Sequence, residues 1–127
     1  LGVILDSNAL SAFADGNEEV CRVLEGAPGH QLPVIVLGEF SFGILASRHR
    51  EAYEAWLAER MQEFEILSID GETAQHYADI REELRQVGRP IPQNDLWIAA
   101  LARQHHLPVV SRGVHFDKVK KVKRHGW

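Results

Sequence analysis

The 127-residue chain lacks several features that would assign it to a compartment or a membrane. It has one cysteine, Cys21, so no disulfide can form within the chain and nothing points to an oxidising compartment. It has no apolar run near the roughly 20 residues that a membrane-spanning helix needs, and no secretory signal pattern. We therefore expect a cytoplasmic protein that acts without a membrane.

The chain also lacks the short motifs of several enzyme classes. Its seven histidines show no zinc-type spacing. There is no glycine-rich phosphate loop, no G-x-S-x-G turn and no Cys–His pairing typical of a nucleophile. These absences argue against zinc chemistry, nucleotide binding through a P-loop and covalent catalysis.

Basic charge is scarce overall but concentrated at one end. The formal net charge of −4 excludes a uniformly basic protein that coats nucleic acid. Residues 1–111 hold 8 basic and 17 acidic side chains, whereas residues 112–127 hold 6 basic and 1 acidic, including every lysine of the chain. This basic end is either a surface that approaches phosphates or a solvated tail.

What the chain does contain is typical of one soluble domain over residues 1–127. Hydrophobic residues make up 45% and charged residues 25%, and a chain of this length buries roughly two-thirds of its unfolded surface. Apolar patterning predicts strands at 2–5, 32–36, 65–69 and 107–111, an edge strand within 119–127, and helices at 7–15, 18–24, 36–47, 50–64, 70–88 and from 94 or 95 onward. Strands that alternate with helices and lack a polar face predict an α/β/α sandwich with a central parallel sheet.

Three acidic residues stand where apolar neighbours make them conspicuous. Asp6 directly follows the first strand, Glu39 lies in the apolar stretch 34–40, and Asp95 begins the most apolar helix. Helix capping or a favourable interaction with a helix dipole explains each acid singly. Ligands of parallel α/β sheets bind at the carboxyl ends of the strands, so we expect the three to converge there. Carboxylates without partner Cys or His motifs suit Mg²⁺ or Mn²⁺.

Four blocks of sequence occur in the order typical of a known family. They are Val3 to Asn8, Val36 to Phe40, Pro92 to Ala100 and Val110 to Asp117. Together they resemble the PIN-domain ribonucleases, specifically the VapC-type toxins of bacterial toxin–antitoxin modules.

The resemblance implies a PIN-like fold, endoribonuclease activity that depends on Mg²⁺ or Mn²⁺, inhibition by a cognate antitoxin and a homodimer. It places Asp6, Glu39 and Asp95 on the family's first three acidic positions, where they would hold metal and carry catalysis. The supporting positions it implies are Asn8 and Ser111, and we add Asp117 as a further supporting residue near the end of the last block. The side chains expected to contact the RNA backbone are Arg112, Lys118 and Arg89.

One position departs from the family pattern. The family has Asp or Asn after the last buried strand, and this chain has Gly113. Either Asp117, His115 or a water substitutes for the missing group, or metal binding is weaker, or the chain is inactive. The alternative function is therefore a catalytically weak PIN-like module that binds RNA or protein. A phosphoacceptor receiver domain is disfavoured, because the chain lacks that family's acidic pair and its lysine after the last strand.

Overall fold

The computed structural model describes residues 2–127. Over that range five strands form one sheet: β1 (Val3–Leu5), β2 (His30–Pro33), β3 (Phe64–Leu67), β4 (Val109–Val110) and β5 (Arg124–His125). The α-helices over the same range are α1 (Ser7–Ala14), α2 (Glu18–Glu25), α3 (Val34–Ile44), α4 (Arg50–Arg60), α5 (Gly71–Gln86) and α6 (Gln93–His105). Short 3₁₀ helices follow at Met61–Glu63 and Val114–Lys118.

The sheet is parallel throughout, with strand order β3-β2-β1-β4-β5. The chain moves outward from β1 through β2 to β3, then returns to the other side of β1 to add β4 and β5. The strand order therefore reverses at β1, and the crevice between the carboxyl ends of β1 and β4 is the topological switch point. Ligands of open α/β sheets bind at such a point.

The predicted sandwich with a central parallel sheet is confirmed. All three residues of β1 are buried, and Val109 and Val110 of β4 are fully buried beside them. Helix α6 has no continuous polar face, which is typical of a helix enclosed by its neighbours. Six of its residues are buried: Leu96, Ile98, Ala99, Ala100, Leu101 and Ala102. This helix lies against α5 and brings its first turn to the carboxyl side of the sheet.

Two predicted boundaries were wrong. The second strand ends at Pro33, and the run of β-branched residues that followed it belongs to helix α3. Proline has no N–H for a strand ladder and fits the N-cap position, so it marks the change from strand to helix. Helix α4 ends at Arg60, and Phe64 is the first residue of β3, where it is buried in the core.

The start of α6 also differs from the prediction. Asn94 and Asp95 were expected to cap the helix, but Pro92 is the N-cap residue and makes no side-chain capping bond. Asp95 is therefore the third residue of the helix, and its carboxylate is not used to cap the helix. Helix α5 begins at Gly71, one residue after the predicted start, because Asp70 is its N-cap residue and forms a reciprocal capping box with Thr73.

Candidate metal centre at the carboxyl edge of the sheet

Asp6 lies at the topological switch point and is 5% exposed. Its Oδ1 accepts a hydrogen bond from the backbone N–H of Ala9 at 2.8 Å, which makes it the N-cap residue of α1. Its Oδ2 accepts a hydrogen bond from the fully buried Ser111 hydroxyl. Burial raises the pKa of Asp6, the bonds from Ser111 and the backbone oppose that rise, and the charge of Asp95 adds to it.

Asp95 reaches the same place from the first turn of α6. Its side chain is 23% exposed, and its charge acts on Asp6 across the crevice. Oδ2 of Asp95 lies 2.7 Å from Nδ1 of His115. An ionised carboxylate only accepts hydrogen bonds, so the Nδ1–H of His115 is the donor in this contact. The charges of two carboxylates from distant parts of the chain thus act on each other at this end of the sheet.

Glu39 is placed differently from what its sequence suggested. The prediction put its carboxylate in an apolar interior, but Glu39 is exposed on α3. The buried face of that helix consists of Val36, Phe40 and Ile44, and the 100° step between residues turns Glu39 away from it. Its Oε1 accepts a hydrogen bond from the Ser7 hydroxyl at 2.9 Å, next to Asp6 in the chain.

The backbone of Gly113 lies close to the same crevice. Its N–H donates to Oγ of Ser111 at 2.9 Å, while Ser111 donates to Asp6. Gly113 has φ −77° and ψ 131°, an extended conformation open to any residue. A Cβ there would lie 3.4 Å from Ser111 Oγ, an ordinary contact. The missing side chain is therefore not required by the backbone.

The other predicted site residues are dispersed. Both oxygens of Asp117 accept hydrogen bonds from Arg124, at 2.9 and 3.0 Å. Arg112 lies over the Trp127 ring, 5.4 Å from its centroid, and lines a cavity of about 340 Å³ that Asn8 also lines.

The two remaining basic residues lie elsewhere. Lys118 lines a separate cavity beside α5, together with Glu83 and Val87. Arg89 is exposed just beyond the end of α5, where its N–H donates to the carbonyl of Leu84. The structure thus gathers Asp6, Asp95 and Ser111 at one crevice and leaves Asp117, Lys118 and Arg89 with other partners.

The donors at the crevice suit a single hard cation better than a closed cage. Within residues 2–127, no three His, Cys, Asp or Glu side chains lie close enough to hold a metal ion. Asp6 and Asp95 provide two carboxylates whose charges interact, and Mg²⁺ binds proteins through one or two carboxylates with water completing its shell. Mutual repulsion between the two is a further reason for a cation to bind there. The residues present fit one ion held by Asp6 and Asp95.

Two contacts at the site were not predicted from the sequence. His115 was named only as a possible substitute for the missing acid, and its bond to Asp95 was not expected. Ser7, which donates to Glu39, was not singled out as a site residue. The sequence places His115 two residues after Gly113, and this spacing could have indicated that its ring lies near the same crevice.

The chain is similar in sequence and in fold to known proteins. The PIN domain model matches residues 3–122. The ribonuclease VapC5 of Mycobacterium tuberculosis is 35% identical over 85 residues, which are 65% of this chain and 63% of that protein. VapC2 of Haemophilus influenzae is 30% identical over 94 residues, or 73% of this chain and 71% of that protein. The DNA-bound VapBC structure from Salmonella typhimurium superposes with a TM-score of 0.88 at 25% identity, covering 100% of this chain and 98% of that one.

These matches identify the family to which the chain belongs and the branch within that family. The family model covers almost the whole chain, and a curated relative at 30% identity spans most of its own length. The chain therefore belongs to the PIN domain family, in its VapC-type ribonuclease branch. The matched region is slightly less than two-thirds of the length of VapC5.

Proposed function

We propose that this protein is a metal-dependent endoribonuclease that hydrolyses RNA phosphodiester bonds as the toxin of a toxin–antitoxin pair. The observation that carries the proposal is the pair of carboxylates at the switch point of the sheet, where Asp95 is near enough for its charge to raise the pKa of Asp6. Membership of the VapC-type branch supports RNA as the substrate.

Each residue of the crevice has a distinct part in that reaction. Asp6 and Asp95 would hold Mg²⁺ or Mn²⁺, which when bound supplies an activated water and charge stabilisation at the phosphate. Ser111 and the N-terminus of α1 fix the Asp6 oxygens, and His115 fixes the orientation of Asp95. Glu39 lies at the rim, where its exposed carboxylate reaches the crevice through Ser7. Arg112, steadied over Trp127, is the best placed of the expected RNA contacts.

The partner we propose is an antitoxin whose apolar segment covers the outer face of α3. Phe42 is 77% exposed there and Leu45 is 50% exposed, both large apolar side chains without a cover. A cavity of about 400 Å³ lies beside this face and is lined by Glu39, Asp15 and Tyr53 among others. An apolar segment carrying a basic residue fits this combination. The solved VapBC complexes, to which the fold is similar, support a protein partner.

We also propose a homodimer and a cytoplasmic location, as the resemblance implies. No helix within residues 2–127 is both long and apolar enough to cross a membrane. Light scattering on the purified protein, with and without antitoxin, measures the mass of each assembly.

A second candidate function is binding without efficient cleavage. It is favoured by Gly113, which supplies no carboxylate, and by the absence of any three-donor metal cluster within the described residues 2–127. Such a protein would bind RNA through its basic side chains and cut it slowly or not at all.

One experiment separates the two candidates. Purified protein freed of antitoxin is incubated with total RNA in Mg²⁺, in Mn²⁺ and in chelator, with an Asp95→Asn variant as a matched control. The proposed function predicts cleavage that chelator abolishes, that added metal restores and that the variant lacks. RNA that stays intact under all conditions while still binding the protein would favour the second candidate.

A further inference from the structure

A groove lies at the amino ends of β4 and β5, the side of the sheet opposite the carboxylates. It measures about 430 Å³ and is lined by His106, Leu107, Pro108, Lys121, Lys123 and His125. We call it the amino-end groove. Four of its six lining residues are lysine or histidine and none is acidic. Within residues 2–127, neither lysine has a carboxylate inside the 4.0 Å ion-pair distance.

The backbone of this groove is unusual at two points. Among residues 2–127, His106 (φ 56°) and Lys121 (φ 64°) are the non-glycine residues with positive φ, and both line the groove. His106 ends α6 at a position where glycine is preferred. Lys121 is the third residue of the turn from Val119 to Val122, where a positive φ also favours glycine. Basic side chains thus occupy two positions at which glycine would be less strained.

Local hydrogen bonds hold both walls of the groove in place. Arg103 is 12% exposed, and its guanidinium donates to the Lys120 carbonyl at 2.6 Å and to both oxygens of Glu83. The turn that carries Lys121 is therefore tied to the core, and Glu83 is already paired. On the other wall, the N–H of His106 and that of Leu107 both donate to the Ala102 carbonyl. Strained residues that the surrounding structure holds in place cluster at functional sites.

Helix-dipole compensation explains only part of this charge. Arg103 and His105 lie in the last turn of α6, where a basic residue is favourable. Lys121 and Lys123 lie on the turn and strand that follow, beyond the reach of a last-turn effect. Their arrangement around a concave, partly apolar floor formed by Leu107 and Pro108 is suited to an extended anionic chain.

The groove lies within reach of a strand bound at the carboxylates. Pro108 and Ser111 are three residues apart along β4, about 10 Å at the rise of an extended strand. This is roughly the length of three stacked nucleotides. Edge strand β5 runs beside that path, with His125 next to Ser111 and Lys123 at the groove. Such continuity favours RNA over an unrelated acidic protein.

We propose that the amino-end groove is a second phosphate-binding site, which holds the backbone of the same single-stranded RNA that reaches Asp6 and Asp95, through Lys121 and Lys123. The inference rests on the proposed ribonuclease function for the identity of the ligand. It adds a binding surface at the far end of β4 that positions RNA without taking part in the chemistry.

The test measures binding without cleavage. A fluorescein-labelled single-stranded RNA is titrated in chelator at salt concentrations from about 50 to 300 mM, and the slope of log Kd against log salt is determined. Lys121→Gln/Lys123→Gln should lower affinity by about one order of magnitude and reduce the slope by about 1.4, because each contact with a single strand contributes about 0.7. Arg22→Gln/Arg48→Gln is the matched control, since it removes two exposed charges that lie in no ion pair of residues 2–127.

A second variant separates binding from a purely structural role. Lys121→Gly adopts the positive φ without strain, so its melting temperature should not fall below that of the wild type. Its RNA affinity should nevertheless drop, and its salt slope should fall by about 0.7, half of the change expected for the double variant. Unchanged affinity in the glycine variant, or equal slopes in the double variant and its control, would overturn the proposal. Displacement of the RNA by polyglutamate at equal charge concentration would also overturn it, in favour of an acidic protein.

These results are independent of the cleavage assay. A groove effect in chelator with no cleavage under any condition would leave this inference standing and remove the enzymatic function. Metal-dependent cleavage, combined with unchanged RNA binding in the groove variants, would support the enzymatic function and overturn this inference.

Discussion

The carboxyl end of the sheet carries Asp6 and Asp95, whereas its amino end carries Lys121 and Lys123 beside β4 and β5. Only the two residues of β4 and their neighbours separate the two ends. At the carboxyl end, like charges have been brought together and one of them is buried. At the amino end, basic side chains occupy strained backbone positions at the surface. Both arrangements cost stability, and the ligands of opposite charge proposed above would offset that cost at each end.

Among the tests of this comparison, we expect removal of either carboxylate to have the largest effect, a loss of RNA cleavage. We expect Asp6→Asn and Asp95→Asn each to lower the rate of RNA cleavage by about 100-fold or more, since each removes one of two metal-holding groups. Asparagine keeps the size of the side chain and caps α1 as well as aspartate does. Cleavage rates in saturating Mg²⁺ measure the effect, and circular dichroism shows that the variants are folded. Full activity in either folded variant contradicts the assignment.

Placing an acid at position 113 should raise the affinity for metal about tenfold. Gly113→Asp adds a carboxylate next to Ser111 at a position where the backbone accepts a side chain. We expect Mn²⁺ affinity to rise roughly tenfold, a typical change for one well-placed group at a metal site. Isothermal calorimetry measures it, with Gly113→Asn as the control that adds similar volume without charge. Equal affinity in wild type and Gly113→Asp would show that position 113 does not face the ion.

Without metal, removing charge at the two ends of the sheet should change RNA affinity in opposite directions. Removing negative charge at the carboxyl end by Asp95→Asn should strengthen RNA binding in chelator by a few-fold, because an unneutralised carboxylate repels phosphate. Removing positive charge at the amino-end groove weakens binding. Fluorescence anisotropy with one labelled RNA measures the affinity of both variants. If both variants bind RNA more tightly, or both more weakly, the two ends do not differ as proposed.

The smallest effect concerns the stability of the metal-free protein. The pKa of Asp6 in the folded state is raised above its unfolded value of 3.8, chiefly by burial. Ionisation of Asp6 therefore destabilises the fold, and the wild type loses stability as pH rises through the raised pKa. The melting temperature of Asp6→Asn should match the wild type near pH 4 and exceed it by a few degrees near pH 7 in chelator. A constant difference across that range would mean that Asp6 is not destabilised by its burial.

Local patterns predicted most of the fold. Short apolar runs such as Val3–Leu5, bounded by polar residues, mark buried strands, and the all-apolar stretch 96–102 marks an enclosed helix. The errors fell where a pattern fits two structures. The β-branched residues after Pro33 suit a strand as well as a helix, and packing of Val36, Phe40 and Ile44 on one face decided for helix α3.

For the site, the sequence by itself determined which acids stand at the ends of apolar elements, and this singled out Asp6 and Asp95. It did not determine that Glu39 is exposed and bonds to Ser7, that His115 contacts Asp95, or that Lys121 and His106 line the same groove. Those depend on helix rotation and on the return of the chain beside β1. The tertiary structure decided them because the pairing of β1 with β4 joins residues over 100 positions apart, and no local pattern encodes such a distance.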